Sequence, residues 1–184
     1  MTTQSAHKVP IIASITNPEQ VEAAVRSSVK RVNLVAGNIL RLGELIGSLR
    51  AHGKQVYVHL EMVNGLGRDR YAVEYLAHTF GIDGIVSTKS NAIAAARQVG
   101  IKSIQRIFAI DTTAVETAIK MVGQSQPDEV ELMPGLMPRV IRELKDVVRQ
   151  PLIAGGLIRS EEEIRTALDS GADYVSIGDQ RFWR

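Results

Sequence analysis

The chain has 184 residues, 22 basic and 20 acidic side chains giving a formal charge of +2, 45% hydrophobic residues and no cysteine. This length fits one domain with a sizeable core, here 1–184, and the composition is that of a soluble globular protein rather than a disordered one. Disulfides, thiol nucleophiles and cysteine-bound metals are excluded, nothing in the total charge demands a nucleic-acid partner, and no run of ~20 apolar residues is present to cross a bilayer. A cytoplasmic location is the expectation.

Short β-prone runs alternate with helix-length amphipathic segments along the whole sequence. After a flexible stretch over 1–8, VPIIASI at 9–15 reads as a strand, and Asn17 with Pro18 opens a helix. RVNLVAG at 31–37, a helix from Ile39 to Ala51, and the strand QVYVHLEM at 55–62 follow. Asp69 caps a helix towards Phe80, DGIVST at 83–88 is a strand, and Ser90 or Asn91 opens a helix through Gln98. KSIQRIFAID at 102–111 precedes a helix capped by Thr112 or Thr113, and EVELMP at 129–134 precedes one with Pro138 in its first turn. PLIAGGLI at 151–158 leads to Ser160, which forms a capping-box pattern with Glu163, and YVSIG at 174–178 is the eighth strand. Eight strands and seven helices predict a compact TIM-type (β/α)8 barrel without a full final helix, its strand-end residues converging on one mouth. The aromatic tail 179–184, with Phe182 and Trp183, covers the first and last strands or joins a second copy of the chain.

Gly155 and Gly156 end the seventh strand and Gly178 ends the eighth, where barrels commonly cradle phosphate; their missing side chains let an anion approach backbone amides. Tight turns alone would also account for them. No GxGxxG follows a strand, which disfavours a Rossmann cofactor. Read as one strand, 55–62 puts His59 and Glu61 on one inward face, for hydroxyl recognition or acid–base work; the alternative is a structural histidine held by Glu131. Glu129 and Glu131 alternate in the same way. No HxH or HExxH pattern provides a catalytic zinc site, although several acids facing one pocket allow weak Mg²⁺ binding. Lys89, beyond GIVST, can neutralise phosphate or, if desolvated, form a Schiff base. Arg106 and Asp111 bracket QRIFAID as a charged network at the mouth or an ordinary ion pair. Arg142, Lys145 and Arg149 recur at helical spacing as a basic stripe that Arg159 can join, suited to a phosphate backbone or simply to solvent. These patterns suit an isomerase, an aldolase or a ligand sensor.

KQVYVHLEMVNGLGRDRYAVEYL, DGIVSTKSNAIAAAR, SIQRIFAIDTTAVE, VELMPGLMP and PLIAGGLIRSEEEI, in this order and spacing, closely resemble the glycerol-3-phosphate-responsive antiterminator family, the glycerol uptake operon antiterminator regulatory proteins. The resemblance runs through nearly the whole chain. It implies a non-catalytic regulator of transcription with glycerol 3-phosphate as effector, leader mRNA of glycerol-use genes as partner and no required cofactor. It implies that His59, Glu61, Ser87, Lys89, Arg106, Asp111 and Glu131 line the mouth and that Gly155, Gly156 and Gly178 contact phosphate. Arg68 and Arg70, in the glycine-bearing loop GLGRDR, add positive charge on a segment able to rearrange with ligand. The sequence VSIGDQRFW departs from the Thr/Ser-rich turn more usual there: Asp179 turned inward would repel phosphate, and turned outward it is a turn residue. A small phosphosugar or phosphoglycerol enzyme and a ligand-dependent interaction scaffold are the other readings.

Overall fold

The computed structural model describes residues 10–184, so the expected flexible segment 1–8 lies outside the described residues. Eight parallel strands close into a barrel in sequence order: β1 (Ile11–Ile15), β2 (Arg31–Leu34), β3 (Gln55–His59), β4 (Gly84–Ser87), β5 (Lys102–Phe108), β6 (Glu129–Met133), β7 (Leu152–Gly155) and β8 (Tyr174–Ile177). Closure is made by β1 pairing with β8, Ile12 opposite Ser176. Closing the sheet removes both edges, so none of these eight strands presents an unpaired row of amides.

Seven helices cover the outside: α1 (Val21–Arg26), α2 (Ile39–Ala51), α3 (Arg70–Phe80), α4 (Ser90–Val99), α5 (Thr112–Ser125), α6 (Pro138–Val147) and α7 (Glu161–Asp169). Their apolar faces meet the outward-facing strand residues in one continuous layer that includes Leu42, Leu49, Val58, Leu76, Ile85, Leu132 and Leu144. Capping side chains fix where the helices start, because the first amides of a helix have no partner within it. Asp69 accepts from Ala72 N–H at 3.0 Å, and Ser160 and Glu163 form the reciprocal capping box. Asn17 does the same with Gln20, although a 3-10 turn over Pro18–Gln20 intervenes before α1.

Two expectations need correction. The third strand ends at His59, and Leu60–Met62 form a 3-10 turn, so Glu61 does not share a strand face with His59. The cap of α5 is Asp111 rather than Thr112 or Thr113; its Oδ1 accepts from Ala114 N–H at 2.7 Å. After β8, the chain makes a 3-10 turn over Gln180–Phe182 in place of an eighth helix. Trp183, 3% exposed, belongs to the core and donates its indole N–H to the Ile177 carbonyl at 2.8 Å. The tail thus covers its own barrel.

Candidate functional site

Side chains alternate in and out along a strand, and in closed barrels alternate strands contribute to one interior tier. The registers arrange the inward residues in four tiers, from the N-terminal to the C-terminal end of the barrel. At the bottom, Arg31 forms a bidentate pair with Glu129 at 2.6 and 2.8 Å, and its guanidinium lies over the Tyr57 and Tyr174 rings. Above it Ile12, Tyr57, Ile104 and Ile153, with Val86, make an apolar plug. The upper half is polar. Asn33, Glu131 and Ser176 share the third tier with Val86, and Ser14, His59, Arg106 and Gly155 form the fourth.

These upper groups are buried but incompletely paired. Ser14 and Ser176 share a hydrogen bond at 2.8 Å, and Arg106 Nε donates to Glu131 Oε2 at 2.8 Å. Among the described residues, no hydrogen-bond partner meets Asn33 Oδ1 and Nδ2, either ring nitrogen of His59, Glu61 Oε2 or Glu131 Oε1. Buried polar atoms rarely go unpaired, and each such atom costs about 1–3 kcal/mol. Two of them, His59 Nδ1 and Glu61 Oε2, face each other; the other four, on Asn33, His59 and Glu131, mark a place in the upper barrel where a polar ligand or ordered water belongs.

His59 Nδ1 stands 3.2 Å from Glu61 Oε2, close enough for charge attraction but not aligned for a hydrogen bond. The other Glu61 oxygen accepts from the Ser87 hydroxyl, which in turn accepts from the Lys89 amide at 3.0 Å. The histidine therefore neighbours Glu61, not Glu131, and Glu61 links the third and fourth strand ends. Burial pushes the Glu61 carboxyl up, but contacts with His59 and Ser87 outweigh it and hold the group below the usual carboxylate range. Its folded pKa is lower than its unfolded one, so its contribution is complete above the unfolded value and lost as pH falls through the folded value. Glu61→Gln is expected to be destabilising at neutral pH, with the deficit shrinking on acidification. Denaturant titrations of both proteins between about pH 6 and pH 3 check this; a pH-independent deficit contradicts it.

Lys89, Arg106 and Asp111 come together in a cleft of about 560 Å³ at the fourth and fifth strand ends, lined also by Phe108, Ala118 and Met121. They do not form one network, because Arg106 pairs with Glu131 and Asp111 caps α5. The three glycines at the seventh and eighth strand ends have separate reasons to be there. A Cβ on Gly155 would lie 2.9 Å from Glu131 Oε1, and Gly156 has φ +78°, followed by Leu157 at φ 64°. Gly178 has neither constraint: a Cβ there would make only ordinary contacts, the nearest with the Ser14 carbonyl at 3.5 Å. Asp179 is the outward turn residue, accepting from the Arg181 amide at 3.0 Å and pairing with its guanidinium.

A model of the family described as glycerol-3-phosphate responsive antiterminator matches residues 11–183. The chain belongs to this family. It is 32% identical to YgcP of Escherichia coli K12 over 174 residues, 95% of this chain and 91% of that protein. The crystal structure of the glycerol uptake operon antiterminator regulatory protein from Listeria monocytogenes str. 4b F2365 superposes with TM-score 0.91 at 31% identity, covering 100% of this chain and 98% of that one. That of a glycerol uptake operon antiterminator-related protein from Thermotoga maritima MSB8 gives 0.84 at 31% identity, covering 95% and 98%. Family and fold together support an antiterminator-type regulator.

This antiterminator-family barrel does not gather the anticipated basic residues on one face. Arg68, Arg70 and Arg159 sit on loops or first turns at the C-terminal rim, Arg70 paired with Glu74. Arg142 and Lys145 instead bridge α6 to the far end of α7 and the start of β8, through Ser170 at 3.3 Å and Asp173 at 2.5 Å. Arg149 follows α6 at that opposite end. Among the described residues, no group of three His, Cys, Asp or Glu is arranged to hold a metal, and no helix is long and apolar enough to cross a membrane. The sequence reading missed Asn33, Ser14 and Ser176. Their signal was a polar residue at an inward position between apolar neighbours on a strand, the same alternation that exposed Glu131.

Proposed function

We propose that this protein is a transcription antitermination regulator that binds glycerol 3-phosphate at the C-terminal rim and, in response, leader mRNA of glycerol-use genes. The observation that carries the effector site is the set of buried, unpartnered polar atoms beneath a glycine-lined rim. Gly178 supports placing the phosphate there, since neither backbone conformation nor packing demands a glycine at that position. Gly155 and Gly156 complete the cradle, with Lys89 supplying positive charge from the opposite side of the mouth, while Arg106 stays paired with Glu131 beneath it. No catalytic role is assigned: Lys89 is exposed, without the desolvation that a Schiff-base lysine needs. No metal is required by this reading.

Arg68, Arg70 and Arg159 are the arginines assigned to RNA in this reading, because they lie in βα segments at the rim, whereas Arg142, Lys145 and Arg149 lie towards the opposite end of the barrel. Ligand changes RNA affinity only if it binds the RNA-competent state more tightly than the other state. Calorimetric titration with glycerol 3-phosphate should give saturable binding, weakened at least about tenfold by Gly178→Ala with folding stability unchanged. Tenfold corresponds to about 1.4 kcal/mol. Absence of binding to the unsubstituted protein would overturn the effector assignment, and leader-RNA affinity that stays constant across ligand saturation would overturn the coupling.

A further inference from the structure

We infer that Asn33 and Glu131 form the floor of the effector site and read a pair of neighbouring hydroxyl groups, so the ligand enters with its hydroxylated end down and its phosphate at the rim. This orientation rests on the proposed phosphoglycerol site. Asn33 lies in β2, opposite Ser14 on one side and Tyr57 on the other, and its side chain is wholly buried. Its amide has an unused acceptor, Oδ1, and an unused donor, Nδ2. Glu131 occupies the same interior tier from across the barrel; Arg106 engages its Oε2, and Oε1 is left open. The floor therefore offers one donor nitrogen, carrying two N–H, and two acceptor oxygens. A hydroxyl both donates and accepts, so two hydroxyls on adjacent carbons can satisfy all three atoms.

A phosphate cannot take that place. It would bring negative charge against the Glu131 carboxylate, whose cationic partner, Arg106, is already committed to it. A carbonyl in place of a hydroxyl would accept from Asn33 Nδ2 and leave Glu131 Oε1 without a donor. Nor does the fold need the amide: an apolar side chain of similar length would remove two unsatisfied buried atoms beside the apolar plug. An asparagine that costs stability and finds no hydrogen-bond partner among the described residues is thus accounted for by the ligand hydroxyls it would meet.

Asn33→Leu separates this role from a structural one. The ligand-free variant is expected to match or exceed the unsubstituted protein in resistance to urea, while its affinity for glycerol 3-phosphate falls about 10- to 100-fold. The unsubstituted protein should prefer glycerol 3-phosphate to 3-hydroxypropyl phosphate and to dihydroxyacetone phosphate by about tenfold or more, and the variant should lose the first preference. Unchanged affinity in Asn33→Leu overturns the assignment, as does a variant that unfolds at lower urea, since the amide would then be holding internal water. If the unsubstituted protein fails to bind glycerol 3-phosphate, the effector reading falls by itself. The floor is then judged with glycerol alone: thermal stabilisation larger in the unsubstituted protein than in Asn33→Leu upholds it, and equal stabilisation overturns it.

Discussion

Arg106→Ala is expected to cost about 3–5 kcal/mol of folding stability, the range for breaking one side of a buried ion pair. Arg106 and Glu131 side chains are 8% and 0% exposed, and their contact is 2.8 Å. Removing the guanidinium leaves a carboxylate enclosed by the barrel with no countercharge, because the remaining fourth-tier groups near it, Ser14, His59 and Gly155, offer none that is fixed. Against a typical total of about 5–15 kcal/mol, this loss brings the protein close to unfolding at ambient temperature. The companion variant Arg106→Met with Glu131→Leu removes both charges and is expected to be close to the unsubstituted protein in stability. Urea titration of the three proteins measures both effects. A loss under about 1 kcal/mol for Arg106→Ala would mean that water reaches Glu131 in the folded state. The doubly apolar variant should fold and fail to bind glycerol 3-phosphate, which separates what the pair contributes to the effector site from what its breakage does to the fold.

The parts of this fold that could be read from sequence are those decided locally. Asp69, Ser160 with Glu163, and Pro138 mark helix starts because their chemistry acts within one turn. Period-two alternation exposed the inward placement of His59 and Glu131 for the same reason. What escaped depends on contacts between distant segments. LEM continues the alternation of VYVH, yet the strand ends at His59, and the Glu61 carboxylate then turns to Ser87 on the next strand. Arg106 and Asp111 looked like one network in a single run of sequence, whereas each finds its partner elsewhere. The α6 stripe was legible as a stripe, but its pairing with Ser170 and Asp173 depends on where α7 ends and β8 begins. Asn33 is the sharpest case: RVNLV declares a strand, and only closure of the barrel reveals that this amide is buried with no partner.

Gly84→Ala is expected to destabilise the protein by about 1–3 kcal/mol or more, the usual consequence of forcing atoms into a filled core. A Cβ built at Gly84 falls 2.4 Å from Tyr57 Cε1 and 2.7 Å from the backbone oxygen of Lys102. The ring could turn aside only by disturbing the Arg31 guanidinium, whose carbon lies 5.1 Å from the ring centroid and which is paired with Glu129. The carbonyl belongs to β5, hydrogen-bonded to its neighbours in the closed sheet, and has no such freedom. Gly84 has no left-handed backbone angle, so its requirement is space and not conformation. Two consequences distinguish this account from a general loss of strand propensity. Tyr57→Leu in the Gly84→Ala background should recover part of the loss by clearing the ring, and part should remain because Lys102 cannot retreat. Gly100→Ala, at φ +77° with nothing within 4 Å, should be destabilising through backbone strain alone and gain nothing from Tyr57→Leu. For a chain of this size each kcal/mol lowers the unfolding midpoint by about 2–4 °C, so thermal melts of the unsubstituted protein, the three single variants and the two double variants resolve the differences. Full recovery in the double variant would remove the Lys102 carbonyl from the explanation, and no recovery would remove the Tyr57 ring.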